Sequence, residues 1–393
     1  MKPPNTNPRG KKPVTTTCKF SGNQVTRAGE VLLEDDVAIK RPTDFDRAMD
    51  ALSYWRSCHE APLERAHDLL KEAISKIDKR AVSARRLKRM QSIIRKLKRF
   101  KGMKLRSMQD IGGCRAILKN QKAVTKTVRE LKKQKTLRVK DYIKTPKEDG
   151  YRGVHLIGNF AAKNEEKRAI EIQLRTKMQH SWATAVEIID LFTGQAIKSS
   201  VGDANWKRFF YLISGVFAQL ENIPNFDNMS IADCFSAYVS KLNALSSDSA
   251  YNNIIKNLEE VYLLTNKLTV KEKFKAFAAS LKITDDHCEK VALDGYVILE
   301  IDIARENLQI ITFSQSAFND AAAYYLDAEK KQALHTEKVV VLVSTDAVGD
   351  LKAAYPNYFA DSARFLKLLD IIMRVYKTHN PSKVSRALKK FFT

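Results

Sequence analysis

Between Arg86 and Glu187 four groups of residues follow one another: Arg86 and Lys88; Asp110 with Arg115; Gly150-Tyr151-Arg152-Gly153-Val154-His155; and Glu171-Ile172-Gln173-Leu174-Arg175-Thr176. They supply what a nucleoside triphosphate and its acceptor require. Cations meet phosphate oxygens, carboxylates hold Mg²⁺ or draw a proton from a hydroxyl, and an aromatic ring stacks on a base. The chain's net charge of +23 lies in the half carrying these groups. Residues 1–200 hold 45 Lys+Arg against 22 Asp+Glu, whereas residues 201–393 hold 23 of each. An excess so confined predicts a polyanionic partner as well as a nucleotide, unless it is only a solvated basic surface.

Taken singly, each group has a chemical and a plain reading. Arg86, Lys88 and Ser92, with Lys96 beyond, are predicted on one helix, where they form either a row of triphosphate ligands or a basic face in water. Asp110 before Gly112-Gly113 is either a Mg²⁺ ligand beside the Arg115 guanidinium or a turn cap. Tyr151 follows Asp149-Gly150 in a loop with Lys144, Lys147 and Arg152, cations suited to the phosphates of a base stacked on the ring. Strand alternation puts Glu171, Gln173 and Arg175 on one face and Ile172 and Leu174 on the other, so the polar face is either phosphate-facing or merely solvated.

These residues need a scaffold, and the periodicities predict an α+β fold with a mixed sheet. A helical stretch from Pro42 to Ile77 and a helix over Ala81–Phe100 are expected first. A strand at Cys114–Leu118, a lysine-rich helix at Ala123–Lys133 and a strand at Leu137–Ile143 follow. The loop from Lys144 to Gly153 leads into a strand pair at Val154–Phe160 and Ala169–Leu174, with the helix Thr176–Phe192 packed behind it. Amphipathic helices occupy Asn205–Leu281. A hairpin at Tyr296–Ile303 and Leu308–Phe313, a helix near Ser316–Leu334, a strand at Val339–Ser344 and helices at Ser362–Tyr376 and Ser382–Phe392 complete the pattern. The expected divisions are a flexible leader at 1–30, the phosphate-motif domain at 31–202, a helical connector at 203–282 and a second α+β region at 283–393.

Five scattered cysteines without a C-x-x-C pair argue against a disulfide framework and a zinc site. Met1–Phe20 has no apolar core of a signal sequence, and no run of 18 apolar residues occurs, so a cytoplasmic protein is expected.

In this order the motifs closely resemble the RelA/SpoT synthetase family over roughly residues 40–200. The resemblance implies a nucleotidyltransferase-like fold that moves the β,γ-pyrophosphate of ATP onto a nucleotide 3′-hydroxyl and releases AMP. By position it implies ATP-phosphate roles for Arg86, Lys88, Ser92, Arg115 and Arg175. Asp110 and Glu171 would be the Mg²⁺ and base positions, and Tyr151 and His155, with Lys144, Lys147 and Arg152, the acceptor pocket. His67-Asp68 lacks the further ligands of the hydrolase found in long members, so a synthetase that cannot erase its product is expected.

The segment Ala353-Ala354-Tyr355-Pro356-Asn357-Tyr358-Phe359, through its tyrosines, resembles the C-terminal motif of CapRel-type fused toxin-antitoxin synthetases. That resemblance implies pyrophosphorylation of the tRNA CCA end, restraint by a pseudo-zinc-finger region with anchoring helices, and release by a phage capsid protein. Tyr355 and Tyr358 would then enter the adenine slot; otherwise they are packed turn aromatics. The strings of Lys and Arg at 98–106 and 119–140 exceed the needs of a small nucleotide. Two other readings are an alarmone synthetase acting on free GDP, GTP or adenine nucleotides, and a non-catalytic nucleic-acid sensor. Deleting residues 283–393 is expected to release activity.

Overall fold

Alternating apolar and polar residues build a central sheet with one greasy and one charged face. The computed structural model describes residues 20–134, 136–161, 166–193, 203–246, 249–271, 274, 295–302, 307–332, 338–345 and 363–380. Its five-stranded sheet comprises β1 (Val82–Leu87), β2 (Gly112–Leu118), β3 (Arg138–Asp141), β4 (Val154–Phe160) and β5 (Arg168–Thr176) in the order β1-β2-β5-β4-β3. Only β2 and β5 run parallel; the other three pairings are antiparallel. This is the expected α+β fold with a mixed sheet.

Before the sheet come α1 (Gly22–Val31), α2 (Val37–Lys40), α3 (Pro42–Ser57) and α4 (Glu60–Ser75); α5 (Met90–Arg99) and α6 (Gln121–Gln134) lie between its strands. Cys114, Ala116, Leu118, Ile170, Ile172 and Leu174 form a buried core with Leu63, Leu70 and Ile74 of α4 and Val124 and Leu131 of α6. Strand period two then directs Arg115, Glu171, Gln173, Arg175 and His155 to the opposite face. Gly112 permits a close approach at the base of this arrangement. A Cβ there would lie 2.6 Å from Ile170 Cδ1 and 3.4 Å from His59 Cβ.

Three expectations about the first hundred residues are corrected. Residues 22–30 of the expected leader are α1, closed at Ser21 by a capping box and burying Val25 against the α3–α5 core. The stretch from Pro42 to Ile77 is two helices, α3 and α4, broken at Cys58 and His59. The helix expected over Ala81–Phe100 is an edge strand, β1, followed by α5. Pairing with β2, continued by the Lys88 N–H donating to Ile111 O at 2.7 Å, overrides the helical propensity of a basic run. Arg86, Lys88 and Ser92 therefore occupy strand, turn and helix rather than one helix face.

After the sheet, α7 (Lys177–Thr193), α8 (Ala204–Glu221), α9 (Ile231–Ala244) and α10 (Ser249–Lys267) share a second core with the helix Ala363–His379. Phe365 lies on Phe209, Phe210, Phe217 and Phe274, with ring centroids 5.1–6.4 Å apart. Tyr151 belongs to this same core. The expected boundary at 203 thus crosses continuous packing, and 203–246 is more than a connector. β6 (Gly295–Asp302), β7 (Asn307–Ser314) and β8 (Lys338–Thr345) form an antiparallel sheet in the order β7-β6-β8, backed by the helix Phe318–Gln332 through Tyr325 and Ala328. That helix also meets α3: Lys330 Nζ is 3.0 Å from Asp50, and Arg56 Cζ lies 4.9 Å from the Tyr325 ring centre. Tyr355, Tyr358 and the helix expected at 382–392 lie outside the described residues.

Candidate active site

The charged face of the sheet gathers residues from four elements. Register pairs Arg86 with Gly113 and Gly113 with Glu171, while Arg115 pairs with Gln173 and Gln173 with His155. Having no side chain, Gly113 leaves open space between the Arg86 and Glu171 positions; a Cβ there would meet only Glu171 O, at 3.5 Å.

Around Glu171 the hydrogen bonds form one directed circuit. His155 Nδ1 is 2.8 Å from Glu171 Oε1, and the Gln173 amide donates to Oε2 at 2.6 Å. The Tyr151 hydroxyl is 2.6 Å from His155 Nε2 and accepts from Arg175 Nε at 3.1 Å, while Arg175 Nη2 donates to Gln173 Oε1 at 3.1 Å. Every proton is accommodated if His155 is neutral with its hydrogen on Nδ1, a tautomer assigned from this network. Burial favours that neutral form, pushing the His155 pKa down against the pull of Glu171. Burial alone would push the Glu171 carboxyl up, but its hydrogen-bonded partners His155 and the Gln173 amide hold it at about 2.

Asp110 is the second carboxylate. Its Oδ2 receives Lys88 Nζ at 3.1 Å and Lys96 Nζ at 2.8 Å. Burial pushes Asp110 up, the two ammoniums outweigh it, and Asp110 stays below its ordinary range while feeling the like charge of Glu171. Oδ1 is buried without a hydrogen-bond partner. An orphaned carboxylate oxygen beside a second ionised carboxylate suits a hard divalent cation that completes its shell with phosphate and water. Among the described residues no group of three or more His, Cys, Asp or Glu is placed to hold a metal, so Mg²⁺ would rest on these two.

Cations crowd the same face. Burial, then Arg175 and Arg86, push the Arg115 guanidinium down to about 9. It remains charged at neutral pH but is strained by its neighbours, a condition that a polyanion relieves. His180, from the first turns of α7, is also pushed well down by burial and by Arg115 and Arg175.

The expected site residues thus divide. Asp110, Glu171, Lys88, Arg86, Arg115, Arg175, Tyr151 and His155 converge, whereas Ser92 is half-buried on α5 and Lys144 is exposed in its loop. Lys147 lies over two rings, 4.6 Å from the centre of Tyr142 and 4.8 Å from that of Tyr151. Tyr151 is only 9% exposed, its hydroxyl bound and its ring against Trp182, so in this state it is not an open stacking platform. Arg152 is turned away from Glu171 and bonds Ser214 Oγ and Ile143 O, each at 3.2 Å. In this state it braces the loop, with Ser214 of α8 and Ile143 of the loop itself as its partners. Sequence reasoning missed Tyr142, edge-on to Tyr151 and His155 at 5.9 and 5.1 Å, and His180. The end of a strand and the helix following Arg175 were the available signals.

Two buried histidines outside the site, together with Glu171, set an acid limit on stability. His59 and His67, each lowered mainly by burial to about 4, remain neutral in the fold while the unfolded chain takes up protons below 6.5. Their depressed values make stability fall as pH drops from 6.5 towards 4, and Glu171 continues the loss from 4.5 towards 2. Each of the two histidines should contribute on the order of 3 kcal/mol across its window. Urea melts from pH 7 to pH 4.5 should show this decline; a flat profile would contradict the buried neutral histidines.

Comparison with known proteins converges on this same region. Residues 85–188 match the family model described as "Region found in RelA / SpoT proteins". A curated relative, the GTP pyrophosphokinase YwaC of Bacillus subtilis (strain 168), is 38% identical over 112 residues, covering 25% of this chain and 52% of its own length. The chain therefore spans about half the length of that relative. Among solved structures, the small alarmone synthetase 2 from Bacillus subtilis is 26% identical, covering 42% of this chain and 92% of that one, with a TM-score of 0.36. The small alarmone synthetase 1 from the same organism, bound to its product pppGpp, is also 26% identical. Its alignment covers 35% of this chain and 73% of that one, with a TM-score of 0.30.

Proposed function

We propose that this chain transfers pyrophosphate from ATP to the 3′-hydroxyl of the tRNA CCA end, and that residues 31–202 are the toxin half of a fused toxin-antitoxin protein restrained by residues 283–393. One observation carries the transfer reading: the ionised carboxylates Asp110 and Glu171 share a face with Arg86, Arg115 and Arg175, whose mutual repulsion a triphosphate relieves. Similarity to a GTP pyrophosphokinase over 112 residues supports the same chemistry.

The residues divide the work by charge and position. Arg86, Arg115 and Arg175 bind the phosphates, with Lys88 and Lys96 compensating Asp110. Mg²⁺, when bound by Asp110 and Glu171, supplies neutralising charge at the β- and γ-phosphate oxygens. The acceptor hydroxyl attacks the β-phosphorus, its proton passes to Glu171, and the bond from that phosphorus to the α,β-bridging oxygen breaks to release AMP. His155, oriented by Tyr151, holds Glu171 in place and hydrogen-bonded.

A tRNA acceptor is supported by exposed cations from the end of α5 to β3. Lys101, Lys104 and Arg106 lie between α5 and β2, and Lys122, Lys126, Arg129 and Lys132 line α6, where they suit backbone phosphates. The alternative acceptor is a free guanosine nucleotide, favoured by the name of the curated relative. Restraint is supported by the contact of the helix Phe318–Gln332 with α3. Tyr325 lies on Arg56, whose Nε donates to the Lys88 carbonyl at 2.8 Å, one residue's length from the ammonium on Asp110. The resemblance to CapRel-type proteins supports a phage capsid protein as the releasing signal.

Truncating at 282 is the wrong test of restraint, because it removes Phe365, Leu369 and Ile372 from the core of α8. The full-length chain and a Tyr325→Ala, Lys330→Ala variant should instead be given γ-³²P-ATP with bulk tRNA, GDP or GTP. Label at the tRNA 3′ end, increased in the variant, is the expected result. Label only in guanosine nucleotides would establish an alarmone synthetase, and equal rates in the two proteins would remove the restraint.

A further inference from the structure

The loop that carries Tyr151 is tied to α8 at two points, and α8 lies beyond the residues that match the RelA/SpoT region. At the first, the Ser214 hydroxyl donates to Gly150 O and accepts from Arg152 Nε at 3.2 Å. Gly150 has φ +89°, and a Cβ there would lie 3.1 Å from both Ser214 Cβ and Tyr211 Cα, so loop and helix meet without space for a side chain. At the second, Glu221 gathers Thr176 Oγ1, Gln179 Nε2 at 3.0 Å and Gln121 Nε2 at 2.9 Å. Thr176 directly follows Arg175, the guanidinium on the Tyr151 hydroxyl.

Ser214 and Glu221 are seven residues apart, two turns along one face of α8. Arg152, Gln179, Trp182, Phe217 and Ala218 join them around a small cavity. Burial lowers the Arg152 pKa and the Glu221 charge opposes that fall, so the carboxylate helps to keep this guanidinium on α8. Trp182 Nε1 adds a bond to Phe210 O at 2.8 Å, fixing α7 against the same helix.

We propose that Ser214 and Glu221 are positioning residues for the acceptor loop, holding Gly150, Arg152 and the β5–α7 junction so that Tyr151, Arg175 and Glu171 stay in register. Neither touches the reacting atoms. They act through the loop and through Thr176, and they extend the working transferase unit through α8. This rests on the transfer reading above and adds to it a requirement in the helical half.

The test uses the full-length chain with Ser214→Ala and with Glu221→Gln. The glutamine keeps the shape: its oxygen can still accept from the Gln121 and Gln179 amides and its own amide can donate to the Thr176 hydroxyl, while Gln179 stays fixed by the Thr176 N–H and the charge facing Arg152 is lost. With ATP and either bulk tRNA or GDP as acceptor, each variant should raise the acceptor KM about tenfold, as expected for losing a hydrogen bond or charge that holds a charged group. The KM for ATP should rise less, staying within roughly twofold, because two of its three arginine ligands, Arg86 on β1 and Arg115 on β2, lie away from the anchor and only Arg175 adjoins it. Backbone amides of residues 144–153 should exchange hydrogen roughly fivefold faster while those of β2 stay unchanged. Unchanged acceptor KM, or equal rises for ATP and acceptor, would overturn the positioning role. A wild-type chain that labels neither acceptor would sink the transfer reading alone, and exchange in the loop would then decide whether the anchor exists.

Discussion

Glu171→Gln should lower turnover by at least about 10²-fold, the usual scale for one well-placed electrostatic group, in a chain that still folds but melts at a lower temperature because a stabilising carboxylate is lost. The substitution preserves shape but removes the charge that His155 and Gln173 both address. At one of the two oxygen positions an amide donor would face another donor, opening the circuit from Arg175 through Tyr151. The pKa of about 2 sharpens this expectation. A carboxylate held so low stays ionised across any working pH, so the acid limb of the wild-type rate profile should not report Glu171. It is also a weak base until substrate loosens one of its two bonds, consistent with catalytic contacts that tighten only in the substrate complex. Steady-state rates from pH 6 to 9 would decide the matter. Turnover within threefold of wild type in Glu171→Gln would remove the carboxylate from the reaction and leave it a partner of His155.

Sequence made the sheet's chemical face readable where alternation is strict. Glu171, Gln173 and Arg175 fall on one side of β5 because Ile172 and Leu174 must enter the core, and the structure keeps that division. The strand pair β4 and β5 was legible for the same reason, and the structure makes it antiparallel. What failed depended on distant partners. The run Arg85-Arg86-Leu87-Lys88 carries no strong strand signal, and only the exposed edge of β2 makes it a strand. Tyr151 stands among cations in sequence, yet its burial comes from Trp182, 31 positions away, and its loop is held by Ser214, 62 positions from Arg152. A loop's composition says which groups are near one another, whereas the direction each takes is fixed by the surface beneath it. The meeting of Lys96 with Asp110 is of the same kind, since the chain leaving α5 must return to set Asp110, just ahead of β2, against it.

Asp110→Asn should produce the other large loss, again about 10²-fold or more in turnover, but with a different signature. Asp110 is the point at which two ammoniums and an orphaned oxygen converge: Lys88 and Lys96 take Oδ2, and Oδ1 is left buried without a protein partner. Asparagine retains one oxygen but halves the anionic ligand set, so the Mg²⁺ concentration for half-maximal rate should rise severalfold. Glu171→Gln alters the proton circuit as well, so it cannot isolate that effect. Stability should change little by comparison. The Lys88 and Lys96 side chains are 26% and 28% exposed and can regain water when their counter-charge is lost. That makes the cost smaller than the roughly 3–5 kcal/mol of breaking a fully buried pair. Mg²⁺ titrations of rate alongside urea melts separate the two effects. A variant that kept a third of wild-type turnover at an unchanged Mg²⁺ requirement would reduce Asp110 to a structural clasp between β2 and α5. A variant that lost turnover only by unfolding would do the same.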